Sequence, residues 1–288
     1  LADHSDLNAI LELGAQLRAF PERGYVGLDG RPCLHPAALY ARSISNTFQS
    51  MRELIDRVPA FPDPNTMTEW IPALQNLKGL FLAVDSHVDD LKAILGAAAP
   101  EMTDKSRTAH RRQLDNLFEE LVGRPFNRVR HNGESLEACC AFGPDFAVSG
   151  YFVSAPRADG VVAPSGLAHG STGTQWSFAV TLRKLLGQLA RAARSVQRDI
   201  APMKVAVASG AWTTREASDL RRIGDWLLRC PPYCFPNEVG AGVPDVSIRG
   251  DEIYLKLDTL KRLRGVPSGM KWYRTFTTDG VTRQFSVV

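Results

Sequence analysis

The stretch Leu74–Leu95, LQNLKGLFLAVDSHVDDLKAIL, carries the cleanest periodicity in the chain. Leu74, Leu77, Phe81, Val84, Val88, Leu91 and Leu95 follow one another in steps of three and four. That spacing stacks apolar side chains on one face of an α-helix. The seam covers about three heptads, a pattern shared by a long bundle helix and a dimerising coiled coil; coiled coils usually sustain it for longer, which favours the bundle helix. Pro72 suits the first turn, and Gly96 and Pro100 mark the end.

Working outward, helical signals continue on both sides. Leu7, Ile10, Leu11, Gly14 and Leu17 predict a short amphipathic helix, followed by a Gly/Pro-rich loop from Pro21 to Pro36. A second helix is expected from about Pro36 to Val58, with Ile44, Phe48, Met51, Ile55 and Val58 on one stripe and Pro59, Pro62 and Pro64 at its end. Beyond the seam, Asp104 or Ser106 can cap a helix with the stripe Leu114, Leu117, Phe118, Leu121 and Val122, which Gly123 and Pro125 interrupt. A further helix from about Gln175 to Ile200 turns Phe178, Leu182, Leu185, Leu189, Ala193, Val196 and Ile200 inward. Its outer face is expected to carry Arg183, Lys184, Arg191, Arg194 and Arg198, either as a solvated surface or as a nucleic-acid-binding face.

Short β-like runs lie between these helices, at Leu136–Phe142, Phe146–Ser154 and Val161–Ala163, with turns at Gly143-Pro144-Asp145 and Ala158-Asp159-Gly160. Pro164–Gly173 reads as a Gly/Ser loop. After a soft boundary near Ala201-Pro202 the pattern changes. Met203–Ala208 suggests a strand, and Thr213 or Thr214 caps a helix ending near Arg229. Hairpins are expected at Val246–Leu257 around Gly250-Asp251 and at Trp272–Val287 around Asp279-Gly280. The predicted fold is mainly α. A helical bundle spans residues 1–200 with a β-hairpin insert at about 134–165, and a small α+β module spans 201–288.

Composition sets outer limits. The 288 residues are 44% hydrophobic and 23% charged, which excludes collagen-like, low-complexity and wholly disordered chains. No apolar run approaches the ~18 residues of a membrane-spanning helix. Leu1–Arg18 is acidic and amphipathic rather than a signal peptide. The odd count of five cysteines, without a secretory signal, predicts reduced thiols in the cytoplasm. Cys139 and Cys140 are expected on opposite faces of a strand, and Cys230 and Cys234 lack a second pair at zinc spacing. Structural thiols are therefore expected, with no metal and no cofactor. The net charge of +3 conceals a balance of −4 over residues 1–100 and of +3 and +4 over 101–200 and 201–288. That asymmetry permits a nucleic-acid partner without requiring one.

No phosphate-binding glycine loop, dinucleotide fingerprint or nucleophile elbow is present. His87, beside Asp85 and Asp89, and His110, among Arg107, Arg111 and Arg112, read as surface histidines; His35 has no supporting pattern. One segment carries a denser signal: Arg124-Pro125-Phe126-Asn127-Arg128-Val129-Arg130-His131-Asn132 has three arginines, a histidine and two asparagines before the first acid, Glu134. In a helix, Asn127 and His131 share a face with Arg124 and Arg128, Arg130 serves a second surface, and Phe126 and Val129 anchor the segment. An imidazole can take and return a proton near neutral pH, and arginines bind phosphate bidentately.

At these residues the chain resembles the HEPN superfamily (higher eukaryotes and prokaryotes nucleotide-binding domains), whose motif is an arginine, four to six residues, then a histidine. Arg124 and His131 enclose six residues, and the run Asn127–Asn132 looks like the motif region of such domains. The resemblance covers roughly residues 36–200 and not the C-terminal module. Pro125 stands where the family has a polar residue, and Arg128 lies only three residues before His131.

The resemblance implies metal-independent endoribonuclease activity that leaves 2′,3′-cyclic phosphate ends, and pairing of two protomers. Many members act as toxins of toxin–antitoxin pairs or in phage defence. It implies His131 as the acid/base or 2′-hydroxyl-orienting group, Arg124 or Arg128 as the stabiliser of phosphorane charge, and Asn127 as the orienting residue. Arg130 and Asn132 join the basic face as expected RNA contacts. Expected partners are RNA and a second protomer or a larger complex, without a membrane. Two other classes fit the same residues: a non-catalytic nucleic-acid or nucleotide-binding protein, and a helical scaffold or regulatory subunit.

Overall fold

The computed structural model describes residues 5–21, 24–26, 32–60, 71–98, 103–132, 134–143, 146–156, 162–165, 175–201, 211–240, 242–250, 252–266, 271–278 and 281–287. The expected strand at Met203–Ala208, the turn at Ala158–Gly160, Pro144-Asp145, Asp279-Gly280, Pro62, Pro64, Pro100 and most of the Pro164–Gly173 loop lie outside them. The chain is mainly α, as its periodicity predicts. Its helices are α1 (Asn8–Arg18), α2 (Pro36–Ile55), α3 (Ile71–Ala98), α4 (Asp104–Phe118), α5 (Arg124–His131), α6 (Phe178–Ile200) and α7 (Thr214–Arg229). Among the described residues no helix is long and apolar enough to cross a membrane.

All seven residues of the seam are buried on α3, and Leu80, His87 and Ile94 are buried beside them. The buried arc is therefore wider than a two-position coiled-coil stripe and is filled by the chain's own elements: α3 packs chiefly on α2, with α4, α6 and the first long strand around it. Burial of Phe81 and Phe48 to 0% exposure places the heart of the core at the α2–α3 contact. The helix passes through Gly96 to Ala98 rather than stopping at the glycine.

Local chemistry accounts for the helix starts. Thr213 caps α7 reciprocally with Glu216, its Oγ1 accepting from Glu216 N at 3.2 Å while Glu216 Oε2 accepts from Thr213 N at 3.0 Å. Thr103, rather than Asp104 or Ser106, caps α4 by accepting from Ser106 N at 3.2 Å. Ser177 caps α6, so that helix begins at Phe178 and not at Gln175. His35 also has a role the sequence did not disclose. Its Nδ1 accepts from Ala37 N at 3.2 Å, which leaves Nε2–H to donate to Phe20 O at 3.2 Å.

The strands are β1 (Tyr25–Val26), β2 (Pro32–Cys33), β3 (Ser135–Gly143), β4 (Phe146–Pro156), β5 (Val162–Pro164), β6 (Trp176–Ser177), β7 (Tyr233–Cys234), β8 (Val243–Arg249), β9 (Glu252–Lys261), β10 (Arg264–Gly265), β11 (Lys271–Thr278) and β12 (Val281–Val287). The expected insert is the antiparallel pair β3–β4, and the two late hairpins are β8–β9 and β11–β12. The last hairpin joins the insert: Lys271 pairs with Phe142 and Arg274 with Cys139, giving the order β12-β11-β3-β4-β5 with β6 on β4. Elements on either side of residues 201–202 thus share one sheet. They also share one core, which runs from Leu7 on one side to Trp226 and Leu255 on the other. Cys139 and Cys140 fall in different clusters on opposite faces of β3, as strand alternation requires. Gly150 on β4 admits β6 at close range; a Cβ there would lie 2.2 Å from Trp176 O.

Candidate functional site on α5

The Arg124–Asn132 segment closes a long helical run. Residues Asp104–Phe118 are α-helical, Glu119–Gly123 form a π-helical turn, and α5 continues directly to His131. Gly123 and Pro125 therefore widen the helix where the sequence predicted an interruption. Pro125 has no N–H, and in a regular helix its ring would press on the carbonyl of residue 121. The backbone responds by lengthening the repeat, and Arg124 N–H bonds Glu119 O, five residues back. The turn also keeps consecutive Leu121 and Val122 buried, followed by Pro125.

Arg124, Asn127, Arg130 and His131 are exposed, while Phe126, Arg128 and Val129 are half-buried. Phe126 and Val129 pack on the main core, as anchors should. Arg124, Asn127 and His131 stand at steps of three and four and so line one exposed face. Arg130 leaves that face; its guanidinium lies over the Phe126 ring, 5.7 Å from the centroid. It also faces Asp85, whose carboxyl is raised above its ordinary range mainly by burial and then by Asp89, with Lys92 and Arg130 pulling the other way.

Arg128 is differently placed. Its Nη2 donates to Glu134 Oε1, and the Glu134 side chain is only 5% exposed. With its amide oxygen turned inward, Asn132 accepts from Arg128 Nε at 3.3 Å. Glu134 therefore ties Arg128 to the entrance to β3, and Asn132 is turned back on α5. Of the two arginines the motif allows, Arg124 projects freely and Arg128 is committed to structure. Among the described residues the side chains of Arg124 and His131 make no hydrogen bond or ion pair.

The other expected site residues divide. Arg191, Arg194 and Arg198 are exposed on α6. Arg183 is not on that outer face: it is 3% exposed, and its Nη2 donates to Leu227 O at 2.9 Å. Position 183 faces the packed α7, so its charge is consumed in holding two helices together. Lys184 is half-buried and faces Glu238, whose carboxyl is pushed up to about 7, first by burial. Glu238 accepts from Ser177 N at 3.0 Å and from Phe235 N at 3.1 Å.

His87 is likewise no surface histidine. It is 1% exposed, and its Nδ1 lies 2.8 Å from Ser43 Oγ, whose hydroxyl is also 3.2 Å from Tyr40 O. Burial lowers its pKa to about 4, so the ring is neutral at pH 7. Ser43 lines a cleft of about 750 Å3 between α2 and α3 with Arg42, Asn46, Ser86 and Asp90. At 4% exposure within a helix, however, its hydroxyl is not presented for attack on a substrate. The 3.6-residue period could have signalled this burial, since position 87 adjoins Val88 and lies one turn from Val84.

Cys230 and Cys234 are held to about 12 mainly by burial, which suits packed thiols. Among the described residues no group of three or more His, Cys, Asp or Glu side chains comes together as a metal site. No protein-family model matches the chain, and no curated protein or solved structure is significantly similar to it.

Proposed function

We propose that the chain is a HEPN-like, metal-independent endoribonuclease whose reacting groups stand on α5. The observation that carries the reading is the exposed face formed by Arg124, Asn127 and His131, from which Arg128 is withdrawn by Glu134 and Asn132. In this mechanism the His131 imidazole takes the proton of an RNA 2′-hydroxyl. The 2′-oxygen forms a bond to the adjacent phosphorus as the bond to the 5′-oxygen breaks, and the leaving oxygen collects a proton. One product ends in a 2′,3′-cyclic phosphate and the other in a 5′-hydroxyl. Arg124 stabilises the added negative charge on the phosphorane, and Asn127 orients the imidazole or the ribose.

An open face on one helix suits a site completed by a second protomer or by a larger complex, as the family resemblance implies. The helical-bundle architecture with a β-hairpin insert, cytoplasmic location, and a role as a toxin or phage-defence effector belong to the same reading. The test incubates end-labelled structured and single-stranded RNA with wild type, Arg124→Ala and His131→Ala, with and without chelator, and reads the product ends. Cyclic phosphate ends that persist in chelator and disappear in His131→Ala are expected, with a rate loss of about 10²–10⁴. Full activity in His131→Ala would overturn the assignment. Binding without cleavage by the wild type would instead favour the non-catalytic nucleic-acid-binding reading.

A further inference from the structure

A second cleft, of about 520 Å3, lies between α4 and α6. Gln113 and Leu117 line it from α4, and Arg191, Arg194, Gln197 and Arg198 from α6. Among the described residues no carboxylate lines it. The three arginines occur in steps of three and four, so their Cα positions climb one face of α6 over about 10 Å. Arg194 pairs with Asp6, and Gln197 Nε2 donates to Glu12 Oε2 at 3.4 Å. Asp199, beside Arg198, is 3.3 Å from His110. Among the described residues Arg191 and Arg198 form no ion pair.

We infer that this cleft holds the sugar–phosphate backbone of single-stranded RNA and leads the strand to the α5 face. The choice of RNA rests on the nuclease reading. The cleft's chemistry points independently to an unpaired polyanionic strand. Guanidinium forks match phosphate oxygens bidentately, and their planes stack on splayed bases. The amides of Gln113 and Gln197 offer donors and acceptors to base edges and 2′-hydroxyls, and Leu117 supplies an apolar wall.

The volume lies within the ~300–1,000 Å3 that takes a small ligand. That size accommodates a nucleotide-sized segment of flexible strand, with the backbone tracking the basic groove. The α4 wall also connects the cleft to the site. Leu117 and Arg124 belong to one helical run, and the seven positions between them span no more than about 10 Å along its axis.

Fluorescence anisotropy with a single-stranded 2′-O-methyl oligoribonucleotide tests this, because the blocked 2′-oxygen cannot attack and binding is read without cleavage. Wild type is compared with Arg191→Ala/Arg198→Ala and Arg191→Lys/Arg198→Lys across a salt series. The double alanine variant should bind several-fold more weakly. Its log–log salt slope should be shallower by about 1.4, from about 0.7 per phosphate contact on single strands. The double lysine variant should recover most of that slope.

Wild-type affinity and slope in the double alanine variant would overturn the inference. So would a wild type that ignores the oligonucleotide at low salt, or one that binds the polyanion poly-glutamate as tightly as the RNA. A wild type that binds through the cleft but never cuts unmodified RNA leaves the cleft assignment standing and removes the nuclease reading alone.

Discussion

Arg128 on α5 is bound to Glu134 at the entrance to β3, and this pairing separates it from Arg124, one helical turn earlier. Two side chains of the same type on neighbouring positions of one helix thus have different work. Arg128 fixes how the helix meets the sheet, and the Arg124 side chain stays exposed.

That division predicts opposite outcomes for two substitutions. Arg128→Ala leaves the nearly buried Glu134 carboxylate without its cation and should destabilise the fold by about 1–3 kcal/mol. Arg124→Ala removes an exposed side chain and should change stability by no more than about 0.5 kcal/mol. On the nuclease reading it should lower kcat/KM sharply. Thermal melts alongside single-turnover RNA cleavage decide the matter; equal melting temperatures for the two variants would contradict the division.

Phe81→Ala should be among the costliest single truncations. The ring is fully buried where α3 meets α2 and stands 6.1 Å from Tyr151 of β4. Its loss should cost about 3–5 kcal/mol in urea titration. A cost below ~1 kcal/mol would mean that α3 is not central to the core.

Arg183→Ala should behave as a core variant and not as an RNA-binding variant. Its guanidinium bridges α6 to the last turn of α7 through Leu227 O, so truncation frees a buried carbonyl and should cost about 1–3 kcal/mol. At temperatures where it remains folded, RNA affinity should equal that of wild type. Selective loss of binding with unchanged stability would place Arg183 at the surface after all.

Two buried groups should impose opposite pH dependences. His87 is lowered from 6.5 to about 4 by burial, so the unfolded chain binds the proton more readily between those values. The stability its neutral form contributes is complete above pH 6.5 and is lost as pH falls through 4, by roughly 3 kcal/mol. Glu238 is raised from 4.5 to about 7, so its contribution is complete below pH 4.5 and is lost as pH rises through 7. Urea denaturation from pH 4 to 8 should show a flatter acid limb in His87→Gln than in wild type. In Glu238→Gln the decline between pH 4.5 and 7 should shrink. Unchanged pH slopes in both variants would refute both assignments.

The sequence by itself determined the mainly helical character, the α3 seam, a threonine cap for α7 and the three antiparallel strand pairs. Each of these rests on chemistry within a few residues: apolar spacing, a hydroxyl before a helix, or turn residues between strands. It also singled out α5, because three arginines and a histidine are dense along the chain itself. Tertiary structure alone decided which of those charges are free. Arg183 meets Leu227 across 44 residues, His87 meets Ser43 across 44, and β11 crosses more than 120 residues to pair with β3. Periodicity reports which positions face inward, but a polar side chain's role depends on the donor or acceptor that the fold brings to it. That partner is set by packing between distant segments, and a buried polar group left without one carries a desolvation cost.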